Sequence, residues 1–129
     1  MKMSGFYSYK RPIALGLSLI LVSLQIQSAN AGALCRGTIK EILTYDTGQV
    51  MIRPSWHSSW MQICSVETAR DGVGVQTCWN WYAMASEAMS QGDNLLVYYA
   101  SLDSAAGCAD LPTYGASEAP RYLRREPAP

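Results

Sequence analysis

The sequence has few of the residues from which catalytic and cofactor sites are usually built. Among its 129 residues there is one histidine, His57, and the one phenylalanine is Phe6. The sequence contains no Cys-x-x-Cys pair, no glycine-rich phosphate loop and no Gly-x-Ser-x-Gly elbow. We therefore expect no cofactor and no metal site, and the pattern favours a binding protein over an enzyme.

The longest apolar run stands at the N-terminus and predicts a signal peptide. Lys2, Lys10 and Arg11 precede an apolar run at residues 13–26, and a small-x-small motif follows at residues 29–31. Signal peptidase reads this combination. A membrane anchor is the alternative, but the run is shorter than the roughly 20 residues that span a bilayer. We expect residues 1–31 to be cleaved and no stable membrane span to remain.

Removal of residues 1–31 would change the charge balance of the chain. Seven basic side chains would remain beside all ten acidic ones, a net charge of −3. Proteins that bind nucleic acid usually carry a basic patch or a high isoelectric point. We therefore do not expect nucleic acid as a partner.

Four cysteines follow the predicted cleavage site, at Cys35, Cys64, Cys78 and Cys108. An even number of cysteines in a small exported chain is typical of a disulfide framework. Zinc binding is the alternative, but no pair has the usual ligand spacing and His57 is not close to a cysteine in the sequence. The cysteines predict two disulfides and a secreted or periplasmic location.

The hydrophobic pattern predicts five strands and one helix. The strands are expected at residues 37–45, 49–53, 60–66, 95–100 and 121–124, and the helix at residues 78–91. The apolar phase shifts between Ile39 and Ile42, which indicates a bulged or strongly coiled first strand. Thr77 is the expected N-cap of the helix, and Gly92 is expected to end it.

One helical stripe is apolar in this pattern. It comprises Cys78, Trp81, Tyr82, Ala85, Ala88 and Met89.

The order of the elements, β-β-β-α-β-β, predicts a mainly β fold with one α-helix, an OB-fold-like small barrel of five strands. We expect residues 32–125 to form this single domain, stapled by disulfides, and residues 126–129 to form a disordered tail.

Several short motifs strengthen this interpretation. Cys35 precedes Gly-Thr-Ile at residues 37–39, and Met-Gln-Ile-Cys-Ser-Val occupies residues 61–66. Gly-Val-x-x-x-Thr-Cys at residues 72–78 opens the helix, and Val-Tyr-Tyr and Gly-Cys follow at residues 97–99 and 107–108. This arrangement resembles small secreted bacterial proteins of mostly unknown function. In outline it also resembles the OB-fold B subunits of A-plus-five-B toxins, which bind glycans as pentamers.

The resemblance implies an OB fold and a glycan, or another envelope or secreted protein, as partner, and it leaves a homo-oligomer open. No stretch matches a sugar-binding motif, so no binding residue is carried over. In an OB fold the first and fourth strands are antiparallel, which implies the pairs Cys35–Cys108 and Cys64–Cys78. The alternative pairs are Cys35–Cys78 and Cys64–Cys108.

The aromatic residues are the best candidates for ligand contact. Trp56 and Trp60 flank a polar connection that also contains His57, and Trp79 should lie at the rim of the helical stripe. Exposed aromatic rings stack on sugars or anchor protein partners. The alternative is a core role, which we expect for Trp81 and Tyr82 in particular.

His57 and the serines around it suggest a second hypothesis. A serine hydrolase needs a serine polarised by a histidine that a third group orients, and adjacent residues on a polar loop do not provide this. We therefore expect His57 to be a solvated loop residue. The first hypothesis is an exported, non-enzymatic binding domain. The alternatives are a small secreted hydrolase or a hydrolase inhibitor that uses the His57 loop, and a structural envelope protein.

Overall fold

The fold described here is that of a computed structural model, which describes residues 32–102 and 107–129. The predicted signal peptide, residues 1–31, lies outside the described residues. Within them, five strands, one α-helix and one 3-10 turn follow the predicted order. They are β1 (Ala33–Thr44), β2 (Gln49–Pro54), β3 (Met61–Ser65), α1 (Val75–Gln91), β4 (Asn94–Tyr99), the 3-10 turn Cys108–Asp110 and β5 (Tyr122–Glu126).

The strands form one antiparallel sheet in the order β3-β2-β1-β4-β5. The long strand β1 pairs with two neighbours in turn, with β4 through residues 33–38 and with β2 through residues 39–44. The register shifts between Ile39 and Glu41, in the part of β1 where the sequence indicated a bulged or strongly coiled strand. Because a bulge bends its strand, the two halves of β1 lie in differently oriented parts of the sheet.

Helix α1 starts earlier than the sequence indicated. The N–H of Cys78 donates to the carbonyl of Gly74 at 3.0 Å, so the first turn already includes the residues before Cys78. Gly74 is the N-cap, without a side-chain cap. The predicted N-cap, Thr77, lies inside the helix, and that prediction was wrong. Gly92 ends the helix at φ +71°, as predicted, because glycine adopts this left-handed conformation without a steric cost.

The core lies between the inner face of the sheet and one stripe of α1. The buried helical residues are Cys78, Trp81, Ala85 and Ala88. They pack with inner-face residues such as Ile52, Ile63 and Val97. Tyr82 is half-buried and Met89 is exposed, so the stripe is narrower than the sequence predicted. Trp81 has the predicted core position.

Two disulfides connect elements that surround this core. Cys35 on β1 is bonded to Cys108, and Cys64 on β3 is bonded to Cys78 on α1. These are the pairs that the resemblance implied, and they are confirmed. Two disulfides indicate an oxidising, exported environment. No helix among the described residues is long and apolar enough to cross a membrane.

The sheet is not closed into the expected barrel. In the part of the chain that the structure describes, β3 and β5 are the two edges and share no ladder. The segment that follows the 3-10 turn takes the place beside β3. Tyr114 donates its N–H to Trp60 O at 2.7 Å and accepts the N–H of Gln62 at 3.2 Å. These bonds form an isolated parallel bridge between Met61 and Tyr114.

An arginine side chain fastens this segment to β3. The guanidinium of Arg70 donates to the carbonyl oxygens of Gln62, Gly115 and Ser117. Its neighbour Asp71 accepts the N–H of Ala119 at 3.1 Å. Contacts of one side chain with main-chain oxygens therefore hold the open edge of the sheet where a ladder was expected.

The last strand reaches beyond the predicted domain boundary. Glu126, the first residue of the predicted tail, pairs with Asn94 as the final residue of β5. Two residues later, the N–H of Ala128 donates to Asp93 at 3.0 Å. Ordered contacts therefore continue into residues 126–128.

Candidate binding surface

Trp56 packs inwards from the loop between β2 and β3. Its side chain is half-buried against the core, and its indole Nε1 is buried with no partner among the described residues. The ring lies next to Gly37 of β1, where an added Cβ would be 3.1 Å from the Trp56 Cε3 atom. This position is that of a packing residue, with little ring surface left for a ligand.

His57 is a buried structural residue, and the expectation of a solvated loop histidine was wrong. Its side chain is only 4% exposed. The Nδ1 atom accepts the N–H of Ser59 at 3.1 Å, and Nε2 donates to the carbonyl of Leu111 at 2.9 Å. Both ring nitrogens are thus occupied by the main chain. The site gives no support to the hydrolase hypothesis, which needs a ring nitrogen for a serine hydroxyl.

The other two predicted tryptophans lie apart from each other. Trp60 is half-buried, with the guanidinium of Arg53 at 5.9 Å from the ring centroid. Trp79 is 50% exposed on α1 and meets Tyr82 edge to face at 6.2 Å between centroids. Trp56, His57 and Trp60 share one loop and Trp79 stands on the helix. Of the four, Trp79 presents the most surface to solvent.

A second exposed surface lies on the sheet and includes two tyrosines. Leu34, Tyr98 and Tyr122 are directly opposite one another on β1, β4 and β5. The rings of Tyr98 and Tyr122 are stacked, with 5.1 Å between centroids and 17° between planes. Leu34 is 54% exposed and Tyr122 is 44% exposed. We call this row, together with the next row of the same three strands (Arg36, Leu96 and Arg124), the tyrosine face.

The main chain at Gly32 packs against the side chain of Tyr98. Gly32 has φ +71°, and a Cβ there would be only 2.4 Å from the Tyr98 hydroxyl and 2.7 Å from its ring. The ring therefore lies directly against the main chain at Gly32, on the β1 side, while Tyr122 stacks on it from β5. Tyr98 therefore contacts residues on both sides of β4.

The second row of the tyrosine face is charged at both ends. Arg36, Leu96 and Arg124 are opposite one another on β1, β4 and β5. Both guanidinium groups bind one carboxylate, that of Glu126, Arg36 through Oε2 and Arg124 through Oε1. Hydrogen bonds from Arg36 and then Arg124 hold the pKa of Glu126 below its ordinary value. We call Arg36, Arg124 and Glu126 the arginine arch.

Local sequence patterns predict only a small part of this surface. The alternation of Tyr122, Leu123 and Arg124 does predict that one face of β5 is polar or aromatic. The juxtaposition with Leu34, Tyr98 and Arg36 depends on the register of three strands far apart in the chain, which no local pattern encodes.

A cavity of about 290 Å³ lies at the end of β4. Its lining residues are Ser101, Leu102, Leu111, Pro112, Ala116 and Glu118. Nearby, the hydroxyl of Tyr99 is fully buried with no partner among the described residues. Burial first and the negative charge of Glu118 second raise the pKa of Tyr99.

The arrangement of these groups is suited to binding. The tyrosine face offers apolar ring surface beside hydrogen-bond donors, a combination that recurs in ligand sites. Among the described residues, no group of three or more His, Cys, Asp or Glu side chains could hold a metal ion.

We compared the chain with protein-family models, curated proteins and solved structures, and none of them matched. The resemblance to toxin B subunits is thus a hypothesis that rests on the motifs given above. The function has to be argued from the geometry of the site.

Proposed function

We propose that the chain is an exported, non-enzymatic binding domain that binds a saccharide on its tyrosine face, in the manner of a toxin B subunit. In this proposal residues 1–31 are a signal peptide that is removed on export. The observation that carries the proposal is the stacked pair Tyr98 and Tyr122 on an ordered sheet, in which Tyr98 is half-buried and Tyr122 is 44% exposed.

The topology supports an OB-type fold in an open form. In an OB fold the first strand takes part in two sheet layers and the helix follows the third strand. Here β1 pairs with both β2 and β4, and α1 connects β3 to β4. The parallel bridge between Met61 and Tyr114 stands where the barrel would otherwise close. We infer that residues 111–119 replace a direct pairing of β3 with β5.

The chemistry of the face suits a sugar ring. The C–H groups on one side of a pyranose are slightly positive and meet the negative face of an aromatic ring. Tyr122 has one ring face covered by Tyr98 and retains a 44% exposed side chain. The arginines of the arch lie in the next row and can donate hydrogen bonds to sugar hydroxyls.

A matched pair of tyrosine variants tests the proposal. The oxidised, exported protein is applied to an immobilised glycan library, and hits are titrated in solution. Tyr122→Ala should weaken binding by about tenfold or more, as expected for loss of an aromatic contact residue. The control is Tyr45→Ala, which removes a similarly exposed tyrosine (40%) at the turn after β1. It should leave affinity unchanged.

Two outcomes would contradict the proposal. One is the absence of binding to any saccharide by protein whose disulfides and circular dichroism are intact. The other is an equal effect of Tyr122→Ala and Tyr45→Ala, because binding would then not involve the tyrosine face. Denaturation midpoints of both variants establish that any loss of affinity is not a loss of fold.

A further inference from the structure

Several N–H groups of the two arginines in the arch do not donate to Glu126. Arg36 uses Nε and Nη2 on one carboxylate oxygen of Glu126, and Arg124 uses Nη2 on the other. The N–H groups on Nη1 of Arg36 and on Nε and Nη1 of Arg124 have no partner among the described residues. A guanidinium presents its donors as a planar fork that matches a carboxylate.

The exposure of the three charged groups is unequal. The side chains of Arg36 and Arg124 are 61% and 64% exposed, whereas that of Glu126 is only 16% exposed. The glutamate therefore lies beneath the arginines and orients them, and the surface that a ligand meets is cationic. The arch as a whole carries two positive charges and one negative charge, in a chain whose residues 32–129 have a net charge of −3.

The cationic groups are within reach of a ligand on the tyrosine row. Arg124 is two residues after Tyr122 on the same face of β5, and residues at that spacing are about 6.7 Å apart. Arg36 stands in the same relation to Leu34 on β1. Both guanidinium groups are directed to Glu126, so a saccharide of more than one ring that rests on Tyr122 and extends along β5 reaches the spare donors of the arch.

We propose that the saccharide bound by the tyrosine face carries a carboxylate on its ring, as uronic acids do, and that Arg36 and Arg124 bind this carboxylate. The inference rests on the proposed function and adds the class of ligand to it. Leu34, Tyr98 and Tyr122 supply the apolar contact, and Glu126 is a positioning residue that holds the two guanidinium groups side by side. Charge complementarity selects the acidic sugar over a neutral one of the same shape.

A pair of probes that differ only in charge tests the inference. An oligogalacturonide and its methyl ester have the same rings, but the ester lacks the negative charges. We expect calorimetric titration of the oxidised, exported protein to give at least tenfold tighter binding of the acid. Arg124→Gln should weaken binding of the acid about tenfold, the effect of one lost charge-assisted contact. It should weaken binding of the neutral ester by a much smaller factor, because only the acid loses a charge-assisted contact.

Lys40→Gln is the matched control for charge. Lys40 is an exposed cation on β1, the strand of Arg36, and it lies outside the arch. This substitution should change affinity for the acid less than twofold. If it weakens binding as much as Arg124→Gln does, diffuse attraction accounts for the preference and the role of the arch is overturned.

The remaining outcomes separate this inference from the proposed function. Equal binding of acid and ester, or binding of neutral saccharides alone, would overturn the inference and leave a saccharide-binding domain. The absence of binding to every saccharide in the library would overturn both. Glu126→Gln adds a readout for the positioning role, because it should weaken binding of the acid although it removes a negative charge from the face.

Discussion

The ring of Tyr98 stacks on that of Tyr122, with 5.1 Å between their centroids, and this contact joins β4 to the edge strand β5. The first prediction concerns its energy. A double-mutant cycle with Tyr98→Ala and Tyr122→Ala should give a coupling of about 0.5–1.5 kcal/mol in the free energy of unfolding. Urea denaturation measures it. A coupling near zero would mean that the two rings stabilise the sheet independently.

Gly32→Ala should disturb the tyrosine face more than it disturbs the fold. The new Cβ would push the end of the Tyr98 side chain aside, because it would lie 2.4 Å from the hydroxyl. Gly72→Ala is the control, because Gly72 also has a positive φ but nothing lies within 4 Å of an added Cβ. Near-ultraviolet circular dichroism should change for Gly32→Ala only. Identical spectra and stabilities would contradict the contact.

Arg70→Met should destabilise the protein by about 1–3 kcal/mol, because the carbonyls of Gln62, Gly115 and Ser117 would lose their charged donor. Arg36→Met is the comparison. It breaks a highly exposed ion pair and should cost less than about 1 kcal/mol. Unfolding in urea checks both variants. Equal losses would show that Arg70 does not fasten the edge of β3.

Glu126 should make stability depend on pH in the acidic range. Its pKa in the folded protein lies below the ordinary 4.5, because Arg36 and Arg124 donate hydrogen bonds to its carboxylate. The stabilisation by these bonds is therefore complete well above pH 4.5 and is lost as the pH falls through the folded-state pKa. The stability difference between the natural protein and Glu126→Gln should shrink on acidification. A difference that is constant from pH 7 to pH 3 would contradict this.

Tyr99→Phe should leave stability unchanged or raise it by up to about 1 kcal/mol, because the hydroxyl is buried without a partner among the described residues. Tyr99→Ala, by contrast, should cost about 3–5 kcal/mol, since the fully buried ring fills part of the core. Thermal unfolding of both variants is sufficient. A clear loss of stability in Tyr99→Phe would reveal a partner for the hydroxyl, such as an ordered water molecule.

The local parts of this fold were predictable from the sequence. Periodicity located the helix and all five strands to within a few residues, and the apolar phase shift at Ile39 located the bulge. The start of α1 was misplaced because Thr77 has a good capping side chain, whereas the observed cap at Gly74 uses none. A cap of this kind uses no characteristic side chain, so the sequence does not reveal its position.

The candidate site was less predictable, for a physical reason. Trp56 and His57 stand in a segment of polar sequence, yet long-range packing half-buries Trp56 and buries His57. His57 donates a hydrogen bond to Leu111, which is 54 residues away. Conversely, Tyr98 lies in the continuous apolar run of β4, but alternation along the strand turns it to the outer face. Its neighbours Leu34 and Tyr122 come from the two ends of the domain.

The Cys35–Cys108 bond links the stability of the tyrosine face to the redox state of the chain. Cys35 lies between Leu34 and Arg36 on β1, so the bond anchors the strand that contributes one side of both rows. A chain that is still in a reducing compartment would lack this anchor and the roughly 4.5 kcal/mol that closure of so long a loop contributes. On the proposed function, recognition by this face would therefore depend on formation of the Cys35–Cys108 bond.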